Sequence, residues 1–142
     1  MRVAALVLIL TTGAATQAAP SVAADRRAPC SGPRFVTDDV GPVLERRHAA
    51  RLIRCVFWRV LGGQGDRAVD GARCESGLDD EASNGGQYLG LFQHAAPYWP
   101  GRARALPDRV AGPSPGAFHA RANAWAAARL VRSSGWSPWG CA

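Results

Sequence analysis

Residues 74–94 read CESGLDDEASNGGQYLGLFQH. The first residues continue a helical pattern that opens near Asp66, with Ala68, Val69 and Ala72 recurring on one face. Gly77 supplies the stop that follows the last turn of a helix. Residues 77–88 are polar and glycine-rich, the composition of a loop. Leu89, Leu91 and Phe92 then return to a core, with Gln93 and His94 directly behind them. Glu75 and Ser76 are therefore expected in the last turn of a short helix. Asp79, Asp80 and Glu81 follow closely. An apolar setting raises a carboxyl pKa, and like charges nearby push in the same direction, so a raised pKa is expected for Glu75.

Toward the N-terminus, Pro42 to Leu61 reads as a helix with Leu44, His48, Leu52, Cys55 and Val56 along one face. Asp38 and Asp39 precede its start, where the helix dipole favours negative charge. Gly62-Gly63-Gln64-Gly65 ends it and lacks the Gly-Lys-Ser/Thr continuation of a phosphate loop. Asp66 is expected to cap the second helix. Toward the C-terminus, Pro97, Pro100, Pro107, Pro113 and Pro115 divide the chain into short pieces. Ser114 is expected to cap the longest helix, from about Pro115 to Ser133, with Gly135 as its stop. Trp125 and Arg129, four positions apart, are placed for a cation–π pair. The tail carries Trp136, Trp139 and Cys141. No segment alternates as a long strand, so the fold class is mostly α.

At the far end, Arg2 and the free amine precede an apolar run, Val3 to Leu10, and a small-residue stretch closes with Val22-Ala23-Ala24. This is the layout of a secretory signal peptide cut after Ala24, with Ala18 as the alternative. A spanning helix needs about 20 apolar residues, and this run is far shorter. The expected organisation is a signal peptide over 1–24, an irregular segment over 25–41 and one small domain over 42–142. All 17 basic residues are arginine, against 11 acidic ones, for a net charge of +6. Scattered through an exported chain, they point to an anionic wall polymer and away from nucleic acid. No membrane association is expected after cleavage, and the expected state is a monomer. Cys30, Cys55, Cys74 and Cys141 point to two disulfides, with three pairings open. A zinc site with His48, His94 or His119 lacks the usual ligand spacing, so no metal is expected.

Taken together, Glu75-Ser76, Leu78, Ala82 and Gly90-Leu91-Phe92-Gln93 resemble the soluble lytic transglycosylase branch of the lysozyme superfamily. Its signature is E-S-x-[FL]-x-P-x-A followed by G-L-[MF]-Q, with the same 18-residue step from glutamate to glutamine. A second block, Asn123-Ala124-Trp125-Ala126-Ala127-Ala128-Arg129-Leu130, is similar to the family's later Asn-and-Ala helix. The ending GWSPWGC resembles the tail of small secreted actinobacterial members. The chain departs from the pattern at Asp80 (proline in the family), Asn84 (serine), Gln87-Tyr88 (Gly-Ala) and Arg129 (an aromatic).

The resemblance implies a lysozyme-like transglycosylase fold and cleavage of the β-1,4 bond between N-acetylmuramic acid and N-acetylglucosamine in peptidoglycan glycan strands. Glu75 would be the general acid and then the general base; its protonated form must survive near neutral pH. The substrate's acetamido group would assist, and no cofactor is implied. Gln93 would bind that acetamido group. Ser76, Tyr88, Tyr98 and Trp125 are the further candidates for substrate contact. Cys74 would pair with Cys141, leaving Cys30 with Cys55. Asp79 or Asp80 positioning a water would instead give a muramidase-type hydrolase. A wall-binding or signalling module without useful catalysis is the alternative from another class.

Overall fold

In the computed structural model, which describes residues 46–140, the first helix, α1, spans Arg46–Leu61. Its buried stripe is Ala49, Leu52, Ile53, Val56, Phe57 and Val60, the spacing of a helix with one face on a core. His48 and Cys55, expected in the stripe, lie half-buried at its edge. The signal peptide, the segment 25–41, the helix start at Pro42, Cys30 and Cys141 lie outside the described residues.

Helix α2 spans Gly65–Ser76 and buries Ala68, Val69, Gly71 and Ala72. Asp66 does not cap it: Gln64, left-handed at φ 64°, takes the cap position without a side-chain bond. Asp66 sits one place inside the first turn, and its Oδ1 accepts from Arg54 Nε of α1 at 2.8 Å. The displacement has a packing cause. A Cβ on Gly65 would lie 3.0 Å from the Arg54 Cα, so the start of α2 is set where only a glycine lets the helices approach.

Beyond α2 come three two-residue strands, β1 (Ser83–Asn84), β2 (Tyr88–Leu89) and β3 (His94–Ala95), in an antiparallel sheet of order β1-β2-β3. Asn84 pairs with Tyr88, and Tyr88 with Ala95. A 3₁₀ turn over Ala96–Tyr98 leads into α3 (Trp99–Arg104) and α4 (Asp108–Ala111), the short pieces expected from the prolines.

The last helix, α5, spans Ala120–Ser134, 15 residues against 16 for α1. Gly135 stops it, as expected, but Ser114 does not cap it. The cap is His119, whose Nδ1 accepts from the Ala122 amide. The carbonyls of the preceding segment are committed elsewhere: Pro115 O accepts from the Trp99 indole and Ala117 O from Asn123 Nδ2. A helix begun at Pro115 would withdraw them.

The described region is mostly helical and forms one small domain. Its main core joins α1, α2, Leu78, Leu91, Phe92 and the inner alanines of α5, and Trp139 of the tail closes it. A second cluster joins Trp99, Ala103, Leu106 and Ala117 to Ala122 and Ala126 of α5. Alanine on both sides lets α5 run between the clusters with close approach on each. Trp125 packs against both, and its expected partner Arg129 remains exposed. The cation–π contacts are instead Arg67 over Trp136 at 4.9 Å and Arg102 over Tyr98 at 5.6 Å. Among the described residues, no helix is long and apolar enough to cross a membrane.

Candidate functional site

The turn Gly90–Gln93 is fixed from three directions. From α5, Asn123, wholly buried, inserts its side-chain amide. Oδ1 accepts from the Phe92 amide at 2.9 Å, and Nδ2 donates to Leu89 O at 3.0 Å and Ala117 O at 2.8 Å. Both hydrogens and the carbonyl are used, which is what a buried amide requires. Gly90, at φ 73°, is the residue over which this amide lies; a Cβ there would come within 2.3 Å of Asn123 Nδ2. From the tail, the Trp139 indole donates to Phe92 O at 2.8 Å, with the two rings edge to face at 5.8 Å.

The third tether reaches the end of α2. Ser76 Oγ lies 3.0 Å from Ala72 O in its own helix and 2.9 Å from Leu91 O in the turn. One hydroxyl thus ties the residue after Glu75 to the residue two before Gln93. Gly77 and Leu78 both adopt left-handed backbone, φ 66° and 65°. Leu78, with its buried side chain, holds a conformation unusual for a branched residue.

Glu75 is half-buried in the last turn of α2. Burial holds its carboxyl above the usual carboxylate range. Direction and cause match the expected apolar setting, while the further push expected from Asp79, Asp80 and Glu81 does not contribute. The carbonyl end of a helix also carries partial negative charge, which disfavours ionisation in the same sense.

Gln93, at φ 44°, uses both amide hydrogens on its own hairpin, with Nε2 donating to Ala82 O at 3.1 Å and Gly90 O at 2.9 Å. That leaves Oε1, an acceptor, for any ligand. Asp79 Oδ1 accepts from the Glu81 amide at 2.9 Å, the work of a loop cap. Tyr88, 45 % exposed, lies on β2, and Tyr98, 66 % exposed, lies on the 3₁₀ turn. Both are exposed, Tyr98 with Arg102 over its ring, while Trp125 is chiefly a bridge between the two cores. Cys55 and Cys74 are both disulfide-bonded; the other two cysteines lie outside the described residues.

One constellation has no counterpart in any sequence motif. His94, 1 % exposed, points Nε2 at Asn123 O (3.0 Å) and Nδ1 at Arg102 Nη1 (2.7 Å). Arg102 can only donate, so Nδ1 accepts and Nε2 carries the proton. The ring is neutral, pulled down to about 4 chiefly by burial and further by the Arg102 charge, against the bond to Asn123 O. No local pattern announces this pairing; only the fold brings α3 beneath β3. Among the described residues, no three His, Cys, Asp or Glu side chains gather as a group able to hold a metal.

The arrangement presents a carboxyl group of raised pKa at a helix end, coupled through one serine to a rigid turn carrying an amide acceptor. It can deliver and recover a proton beside a ligand held by hydrogen bonds. Comparison with family models, with curated proteins and with solved structures returned no match.

Proposed function

We propose that this protein is a secreted, lysozyme-like glycosidase that cleaves peptidoglycan glycan strands by the lytic transglycosylase route. The observation that carries the reading is Glu75, half-buried, with its carboxyl pushed above the usual carboxylate range by desolvation and its helix end tied through Ser76 to the turn of Gln93. Glu75 protonates the leaving oxygen of the β-1,4 bond between N-acetylmuramic acid and N-acetylglucosamine. The substrate's acetamido oxygen meets the developing charge at C1. The carboxylate then removes the proton of the sugar's own 6-hydroxyl, which closes the anhydro ring. Gln93 Oε1 accepts from the acetamido N–H, a role supported by the use of its amide hydrogens within the hairpin. The engagement of Asp79 within its loop favours this single-carboxylate route over a water-positioning hydrolase.

The pairing Cys74–Cys141 with Cys30–Cys55 belongs to the same proposal, supported by the bonded state of Cys55 and Cys74. The mature protein acts as a monomer outside the cytoplasm, on the wall, without metal or organic cofactor, membrane anchor or nucleic acid.

The test is digestion of purified peptidoglycan by wild type and Glu75→Gln, with products read by mass spectrometry. Products lighter by one water, absent from the variant, are expected; the variant should retain at most a few per cent of the release. Full-mass reducing ends would make the protein a muramidase-type hydrolase. Wall binding by both forms with no release from either would make it a binding module.

A further inference from the structure

We infer that the face formed by α1 and α5 docks a flexible phosphodiester polymer borne by the wall, a polyol-phosphate chain, gripped by Arg59, Arg121, Arg129 and Arg132. The two helices pack on one another through the main core. Between them they carry eight arginines and not one acidic residue. The acidic residues of the described region lie elsewhere, on α2, on the loop around Asp79 to Glu81 and on α4. Two of its ion pairs draw on α2 carboxylates, Arg54 with Asp66 and Arg73 with Asp70. Among the described residues, none of the four named arginines has a carboxylate in reach.

The geometry within this face is unfavourable for the protein alone. Arg121, half-buried at the start of α5, sits close enough to Arg59 of α1 for the two positive charges to repel. Burial and that neighbour both pull Arg121 below the usual arginine value. Like charges that repel cost stability, and a phosphate bound by both reverses the sign. Each fork donates paired N–H groups to its oxygens, and the mutual repulsion is neutralised. Along α5, steps of four, four and three place Arg121, Trp125, Arg129 and Arg132 on one side, a row roughly 16 Å long at 1.5 Å per residue.

A chain that can follow a helix fits this row better than a lipid surface does. Membrane docking needs apolar side chains standing between the charges, and the aromatic in the row, Trp125, is turned inward against both cores. The choice of a wall-borne polymer over other polyanions rests on the peptidoglycan reading above.

The experiment titrates the mature protein with a soluble polyol-phosphate polymer at several salt concentrations. Wild type is compared with Arg59→Gln/Arg121→Gln and with the control Arg104→Gln/Arg109→Gln, which removes the same charge from α3 and α4. Expected are at least tenfold weaker binding for the first variant and a salt dependence flattened by roughly one to one and a half log units per log unit, at about 0.7 for each phosphate left unneutralised. Its melting temperature should stay unchanged or rise. Equal weakening in the control, or none in either variant, overturns the docking face. Tighter binding to vesicles of anionic lipid or to single-stranded DNA than to the polymer overturns the choice of partner. Glu75→Gln should bind the polymer like wild type. Polymer binding without release of wall fragments would sink the enzymatic reading alone, and release from polymer-free wall without polymer binding would sink the docking face alone.

Discussion

Glu75 is held in a setting that suits its uncharged form, and this leaves a trace in stability. Its folded pKa lies above the unfolded value, so the native state grips the proton more tightly. The stability it contributes is complete below the unfolded pKa and is lost as pH rises through the folded one. Glu75→Gln should therefore melt no lower than wild type at pH 8, and the difference should vanish near pH 4, as calorimetry across that range would show. Desolvation is not screened by salt as surface charge is. The alkaline limb of the pH–activity profile should accordingly stay in place between low and high salt, and Asp80→Asn should leave it unmoved. A limb that shifts in either experiment would return the cause to the acidic neighbours. At Asn123 the stakes are structural. Asn123→Ala strands the Phe92 amide and the carbonyls of Leu89 and Ala117, and buried unsatisfied groups cost about 1–3 kcal/mol each. A loss of roughly 3–5 kcal/mol in denaturant unfolding is expected. Glu75 and Gln93 were legible because their spacing is local. The work of Asn123 was not, because its Phe92 partner is 31 positions away and no local pattern encodes that bond.

The elements divide along the same line. The stop at Gly77, the inward face of Ala68, Val69 and Ala72, and the end at Gly135 follow from chemistry within a few residues, and the chain obeys it. The caps expected at Asp66 and Ser114 obeyed the same local rules and were overridden by tertiary demands: Gly65 against Arg54, and the Pro115 and Ala117 carbonyls taken by Trp99 and Asn123. Between α2 and the hairpin, the Ser76 hydroxyl is the hinge of the proposed chemistry. Ser76→Ala should cost about 1 kcal/mol in stability, the net worth of one hydrogen bond. It should lower kcat more than it raises KM, because the carboxyl group loses its fixed relation to the turn while Gln93 keeps its own bonds. A variant that changes KM alone would place Ser76 in contact with substrate.

For the molecule as a whole, acid is the revealing stress. His94 titrates at about 4 in the fold against 6.5 for a free histidine, so the unfolded chain takes up a proton that the native one refuses. Stability from this residue is fully present above pH 6.5 and is lost as pH falls toward 4. Two and a half units at about 1.4 kcal/mol each give roughly 3 kcal/mol. Urea unfolding at pH 7 and pH 4 should show that loss, and His94→Gln should flatten it. The order in which these bonds can form also bears on the proposed activity. A polypeptide is made and delivered from its N-terminus, so Glu75 and Gln93 emerge well before Asn123, and Trp139 trails by 47 positions the Phe92 carbonyl it binds. Until those late residues arrive, the turn has no template and the carboxyl group no partner surface. On the proposed reading a chain still being made is therefore inert, and activity waits on its completion, with timing in the place of an inhibitor.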